Sequence, residues 1–230
     1  MKEYLDNDIN PVNGGRSVKY KLDFYRLHPH YFRPEGIMVF CGPQGAGKTL
    51  SAVRYIRRVL DAYPKCIFCS NTVIRGYEDR TVEYDGLETL KSIENGFNGV
   101  LYFIDEIHLE LNSLESKNID MDVIVELSQQ RKQRKHIVGT SQVYMRMAKP
   151  LREQVKNIVL CKNFFGILQH NQLIDGFSAV EENGKLKCSV IKNQWFFHSA
   201  DLYECYDTYT KMKRYKKEWK GRRQRYEGCD

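Results

Sequence analysis

The fold is decided by Gly42-Pro43-Gln44-Gly45-Ala46-Gly47-Lys48-Thr49 and by what lies on either side of it. Upstream, Ile37–Cys41 is a continuous apolar run, the mark of a strand buried on both faces. Downstream, Leu50, Val53, Ile56, Val59 and Leu60 recur at helical spacing until Pro64 stops them. A strand, a glycine-rich loop and a helix in that order match the G-x-x-x-x-G-K-[ST] phosphate loop. Glycines let successive backbone N–H groups turn inward around phosphate oxygens, and the helix start adds its positive dipole end. The residues from Gly42 to Thr49 are thereby expected to bind a nucleoside triphosphate. Lys48 would reach the β- and γ-phosphates and the Thr49 hydroxyl would ligate Mg²⁺.

Working outward, Cys66–Cys69, Val100–Ile104, Ile137–Thr140 and Ile158–Cys161 read as further strands. Between them, Asp85 and Glu88 form a candidate capping box for a helix carrying Leu87, Leu90 and Ile93. Met121, Ile124 and Leu127 mark another helix that turns basic through Arg131–Lys135. Strands alternating with helices predict βαβ units and a mostly parallel sheet. Beyond Lys162, Phe177–Val180 and Lys187–Ile191 flank an Asn183-Gly184 turn, which predicts a β-hairpin extending the core sheet. The expected layout is a lead-in over 1–35, a core over 36–162, the hairpin extension over 163–200 and a basic arm over 201–230.

Two apolar-to-polar strand ends and a cationic run carry the rest of the chemistry. Val100–Ile104 runs into Asp105-Glu106, where Asp105 fits a Mg²⁺ carboxylate and Glu106 the acceptor of a proton from water attacking the γ-phosphate. A water-activating base suits an ATPase and is of no use to a kinase. Ile137–Thr140 runs into Ser141-Gln142, and the Gln142 amide would face the γ-phosphate if this strand lies between the other two. The run Arg131-Lys132-Gln133-Arg134-Lys135 reads either as a solvated helix end or as an arginine finger reaching a neighbouring subunit, with Arg131 and Arg134 as equal candidates.

Composition narrows the class. The chain has 230 residues, 42% hydrophobic and 28% charged, an ordinary globular balance that excludes wholesale disorder. Its net charge of +7 is not spread evenly. Lys211–Arg225 holds nine bases and one acid, a net of +8, so the other 215 residues sum to −1. That arm interleaves its cations with Tyr215 and Trp219, which suits either a nucleic acid or an acidic protein surface. The seven cysteines are an odd number, several inside apolar runs, and the histidines show no ligand spacing. Cys66 and Cys69 would lie on opposite faces of a strand, so core packing is expected of them and not a metal. Met1–Asn10 carries three acids and no apolar stretch, so it is not expected to be a signal peptide, and no apolar run approaches the ~18 residues that cross a bilayer. A reduced, cytoplasmic protein is expected.

Taken together, a strand, GPQGAGKT, a strand ending in Asp-Glu, and a basic helix leading to a strand ending in Thr-Ser-Gln resemble the FtsK–HerA superfamily of DNA-pumping ATPases. Within it the Zot-like branch and the viral genome-packaging ATPases look most similar. Leu202–Thr208 also looks like the Tyr-Asp-Thr segment that follows the ATPase core there. The resemblance implies a three-layer P-loop ATPase of the additional-strand type with a five-stranded core. It further implies a ring oligomer, a glutamine sensor at Gln142, and an arginine supplied in trans. ATP, Mg²⁺ and DNA would be its ligands, with a capsid or portal component as a further partner. Zot-like proteins of filamentous phages carry a membrane span, and the lack of an apolar run here turns the expectation toward genome packaging in a host cytoplasm. The rival readings are a nucleoside or nucleotide kinase and a slow-turnover scaffold that binds DNA or capsid.

Overall fold

A computed structural model describes residues 11–110, 133–144, 147, 149–182 and 185–206. The chain divides into two compact units, Met1–Tyr31 and Phe32–Asp230. In the first, helix α1 (Pro11–Leu27) occupies a stretch whose sequence shows little periodicity. None of its residues is buried, so no apolar stripe was needed to specify it. Pro11 sits at the first helical position, where its missing N–H has no helical partner to lose. Phe24 closes the end of the unit by meeting the rings of His28 at 4.7 Å and Tyr31 at 5.0 Å.

The second unit is built on one sheet. In chain order its strands are β1 (Gly36–Cys41), β2 (Ile67–Ser70), β3 (Thr81–Glu83), β4 (Val100–Ile104), β5 (Lys135–Ser141), β6 (Val155–Phe164), β7 (Leu168–Asp175) and β10 (Val190–Phe197). They lie in the order β10-β7-β6-β1-β5-β4-β2-β3. β6, β1, β5, β4, β2 and β3 are mutually parallel, and β7 and β10 add antiparallel at one edge. The five strands expected from sequence are all present as the central block. The three-residue β3 is too short to give a periodic signal. β5 separates β1 from β4, which is the additional-strand arrangement.

Alternate residues of each central strand enter two separate cores. Met38, Phe40, Leu101, Phe103 and Val138 pack under helix α2 (Lys48–Ala62), against Val53, Ile56 and Leu60. Ile37, Val39, Tyr102, Ile104 and Ile137 pack on the other face against Leu90, Ile107 and Tyr144. Cys66 joins the first core and Cys69 the second, as their spacing predicts. Burial pushes both thiols up to about 12, so they are inert packing groups.

Two local expectations are corrected. Glu88 caps helix α3 (Thr89–Ser92) without a side-chain hydrogen bond, so the Asp85–Glu88 capping box does not form. Instead the Thr89 hydroxyl accepts the Asp85 N–H at 3.2 Å, and the helix is only four residues long. The antiparallel extension exists, but β7 and β10 build it: β7 pairs with β6, and β10 pairs with β7 with a register shift between Val190 and Lys192. The segments flanking Asn183-Gly184 form a separate ribbon, β8 (Val180–Glu182) with β9 (Lys185–Lys187). The Asn183-Gly184 turn itself lies outside the described residues, as do residues 121–132, where a helix is expected, and residues 207–230 of the basic arm.

His136, on β5, is buried between the two layers. Gly36 O can only accept, so Nδ1 carries the proton at 2.8 Å and Nε2 accepts the Tyr55 hydroxyl at 2.9 Å. Desolvation pushes this imidazole down to about 4. The unfolded chain takes a proton near pH 6.5 and the folded one only near 4, so stability is complete above 6.5 and is lost as pH falls through that window. The loss from this group is about 3 kcal/mol at most. Melting curves at pH 7 and pH 5 should show a steeper fall for the wild type than for His136→Gln.

Candidate functional site

The carboxyl ends of β1, β4 and β5 open on one cleft of about 600 Å³. The phosphate loop forms one wall. Gly45 and Gly47 take φ of +78° and +74°, a region L-residues avoid, and Gly47 directly precedes α2. The Lys48 ammonium donates to Pro43 O at 2.9 Å and stays over the loop.

Asp105 and Glu106 form the facing wall. The Thr49 hydroxyl donates to Asp105 Oδ1 at 3.3 Å, and the Thr140 hydroxyl donates to the same oxygen at 2.6 Å. Thr140 also accepts the Glu106 N–H at 2.8 Å, so one buried hydroxyl fixes both acids. Asn71, just after β2, holds the Asp105 backbone from both sides. Its Oδ1 accepts the Asp105 N–H at 2.9 Å and its Nδ2 donates to Asp105 O at 3.2 Å. Glu106 has φ +56°, an uncommon conformation for a non-glycine residue that costs ~1–3 kcal/mol and recurs at active sites. Gln142, one residue beyond β5, lines the same cleft. The placement expected of it follows from β5 lying between β1 and β4.

These donors fit Mg²⁺. A hydroxyl and a carboxylate oxygen lie side by side at the start of α2, and Mg²⁺ takes one or two such ligands together with substrate phosphates and water. Among the described residues no group of three or more His, Cys, Asp or Glu is placed to hold a metal by itself.

The structure brings Lys48, Thr49, Asp105, Glu106 and Gln142 together and leaves Arg134 apart. Arg134 immediately precedes β5, at the opposite end of that strand from Gln142, and it too has positive φ (+57°). Seven residues of strand separate the two ends, ~23 Å. Arg134 therefore cannot serve the cleft of its own chain. Arg131 lies outside the described residues. Lys135, the last cation of that run, is not solvated: it is buried and donates to Leu90 O at 2.6 Å.

Sequence reading missed a second wall. Gln169 on β7 is fully buried and donates from Nε2 to Ala46 O at 2.9 Å, inside the phosphate loop. Asn163 on β6 donates to Gly45 O at 3.3 Å. His198 Nε2 meets Gln169 Oε1 at 3.3 Å and its Nδ1 meets the Tyr203 hydroxyl, which donates to Gly166 O at 3.1 Å. His198, Tyr203 and Tyr206 all line the cleft. Tyr206 belongs to the segment singled out by resemblance, and it bridges to Ile74. The only local signal for the others was the recurrence of amides at alternate positions of β7, Gln169 and Asn171. Neither identifies a target without the register.

The fold is that of a P-loop NTPase. With 15% identity and a TM-score of 0.51, the chain is similar to the N-terminal domain of zonular occludens toxin from Neisseria meningitidis, over 76% of this chain and 100% of that one. With 13% identity and a TM-score of 0.51, it is similar to the genome packaging NTPase B204 from Sulfolobus turreted icosahedral virus 2, over 70% of this chain and 97% of that one. These are neighbours of the kind the motif order resembles. No family model and no curated protein matches the sequence. Among the described residues no helix is long and apolar enough to cross a membrane.

Proposed function

We propose that the chain hydrolyses ATP as an oligomeric ring and uses the turnover to move DNA, in viral genome packaging or virion assembly. The observation that carries the hydrolytic part is Glu106, held in a strained backbone conformation beside Asp105 and across the cleft from the phosphate loop. The loop N–H groups and Lys48 would hold the triphosphate. Thr49 and Asp105 would hold Mg²⁺, which neutralises charge developing on the phosphate oxygens. Water attacks the γ-phosphorus, its proton passes to the Glu106 carboxylate, and the bond to the β–γ bridging oxygen breaks to release ADP. Gln142 would donate its amide to the γ-phosphate and hold the attacking water. Arg131 or Arg134 would enter from the neighbouring subunit; the distance of Arg134 from its own cleft is what a finger working in trans requires. The similarity in fold to a packaging NTPase, together with the cationic arm, supports DNA as the cargo.

The test measures ATP turnover with and without DNA, identifies the phosphorylated product, and repeats both on a chain truncated after Asp207. Release of free phosphate, raised several-fold by DNA in the full chain and not in the truncated one, is the expected outcome. Transfer of the phosphoryl group to a nucleoside or nucleotide would mean a kinase. Turnover that stays negligible with DNA present would mean a scaffold.

A further inference from the structure

Behind the phosphate-loop cleft, on the α2 face of the sheet, lies a separate cavity of about 200 Å³. Its position follows from periodicity. Arg54 and Arg58 are one helical turn apart on α2 and project the same way. Lys192, Gln194 and Phe196 alternate along β10 and face α2, because their partners on β7 are Leu173, Asn171 and Gln169. The two sets meet over an apolar floor of Met38, Phe40 and Val159, with Ser51 and Asn171 at one end.

The chemistry of the lining is one-sided. Three cations converge, and among the described residues no carboxylate lines the cavity. Among the described residues no acid pairs with Arg54, Arg58 or Lys192. The Arg54 guanidinium lies 4.1 Å from the centre of the Phe196 ring, a cation–π contact that leaves its charge without a carboxylate partner. Partial burial, and secondarily the charge of Arg58, hold Arg54 below its usual pKa. A fork, an ammonium and neutral donors around a concave floor form the donor set that recognises phosphate oxygens. The volume is several times what one water needs.

We propose that this cavity is a second anion site that takes a phosphate group, either a free phosphate or a phosphodiester of a nucleic-acid backbone. It does not depend on what the first cleft hydrolyses. Hydrogen bonds link its inner end to the phosphate loop. Asn171 Oδ1 accepts from Ser51 Oγ at 3.1 Å and from Gln169 Nε2 at 3.1 Å, and Gln169 holds the loop at Ala46.

The experiment uses the full chain saturated with Mg²⁺ and a non-hydrolysable ATP analogue, so that the phosphate loop is occupied. Inorganic phosphate is then titrated calorimetrically, and a fluorescent oligonucleotide is titrated separately. The wild type should bind one further equivalent of phosphate. Arg54→Gln/Lys192→Gln should weaken that binding at least tenfold, while Arg58→Lys, which keeps the charge, should stay near wild type. Equal weakening of the oligonucleotide, with phosphate competing against it, assigns the site to a nucleic-acid backbone. Weakening of phosphate alone assigns it to a small phosphate ligand. Wild-type binding of both probes by the folded double variant overturns the proposal, as does the absence of any phosphate beyond the loop. Circular dichroism and melting temperature confirm that the variants fold.

Discussion

Replacing Glu106 by Gln is expected to leave ATP binding within a few-fold of wild type and to cut turnover by roughly 10²–10⁴-fold, the usual worth of a positioned general base. The substitution keeps the size of the side chain and removes only its ability to accept a proton. The residue's backbone anchors do not involve the carboxylate: its N–H donates to Thr140 Oγ1 and its C=O accepts from Leu109. The φ of +56° is retained too, so the cleft keeps its shape. Phosphate release measured beside equilibrium binding of a labelled nucleotide separates the two effects. Unchanged turnover would remove Glu106 from the mechanism. Lost binding would mean that its role is structural.

The second large effect is expected at Gly47. Alanine there must adopt φ +74°, which costs about 1–2 kcal/mol for an L-residue. Its Cβ would also lie 2.2 Å from Gln169 Oε1. That atom is the end of a side chain, but Gln169 is pinned through Ala46 O and Asn171 and has no solvent to move into. Overpacking of this kind adds about 1–3 kcal/mol. At about 2–4 °C per kcal/mol for a chain of this size, the melting temperature should fall by roughly 5–15 °C. Nucleotide affinity should fall with it, because the strain sits in the loop that holds phosphate. Gly47→Ala combined with Gln169→Ala removes the overlap but not the φ penalty, and should recover part of the loss in affinity. A Gly47→Ala protein with wild-type melting temperature would show that Gln169 gives way freely and does not brace the loop.

Both predictions rest on residues of different legibility. Glu106 was readable because an apolar strand running into two acids is a local pattern, and the chemistry of that pattern is carried by two adjacent positions. Gln142 was half readable. Its strand end was visible, but its place opposite the phosphate loop depended on β5 lying between β1 and β4, a fact of pairing order that no window of sequence contains. Gln169 was not readable at all. Its buried amide reaches Ala46 across 123 positions of chain, and in sequence it is one polar residue among several on an ordinary strand. The run from Arg131 to Lys135 misled in part, since clustered cations imply water, yet Lys135 is buried because β5 begins there and Leu90 supplies an acceptor.

The sequence by itself determined the central five strands, the phosphate loop and the acids that face it, because each is written in contiguous residues governed by backbone conformation and local burial. Tertiary structure alone decided the rest: the antiparallel edge of β7 and β10, the amides that brace the loop, and the trio of cations gathered between α2 and β10. The edge depends on strand pairing, while the loop brace and the cation trio join side chains over a hundred positions apart, and only strand order and register can bring these within hydrogen-bonding distance or around one cavity.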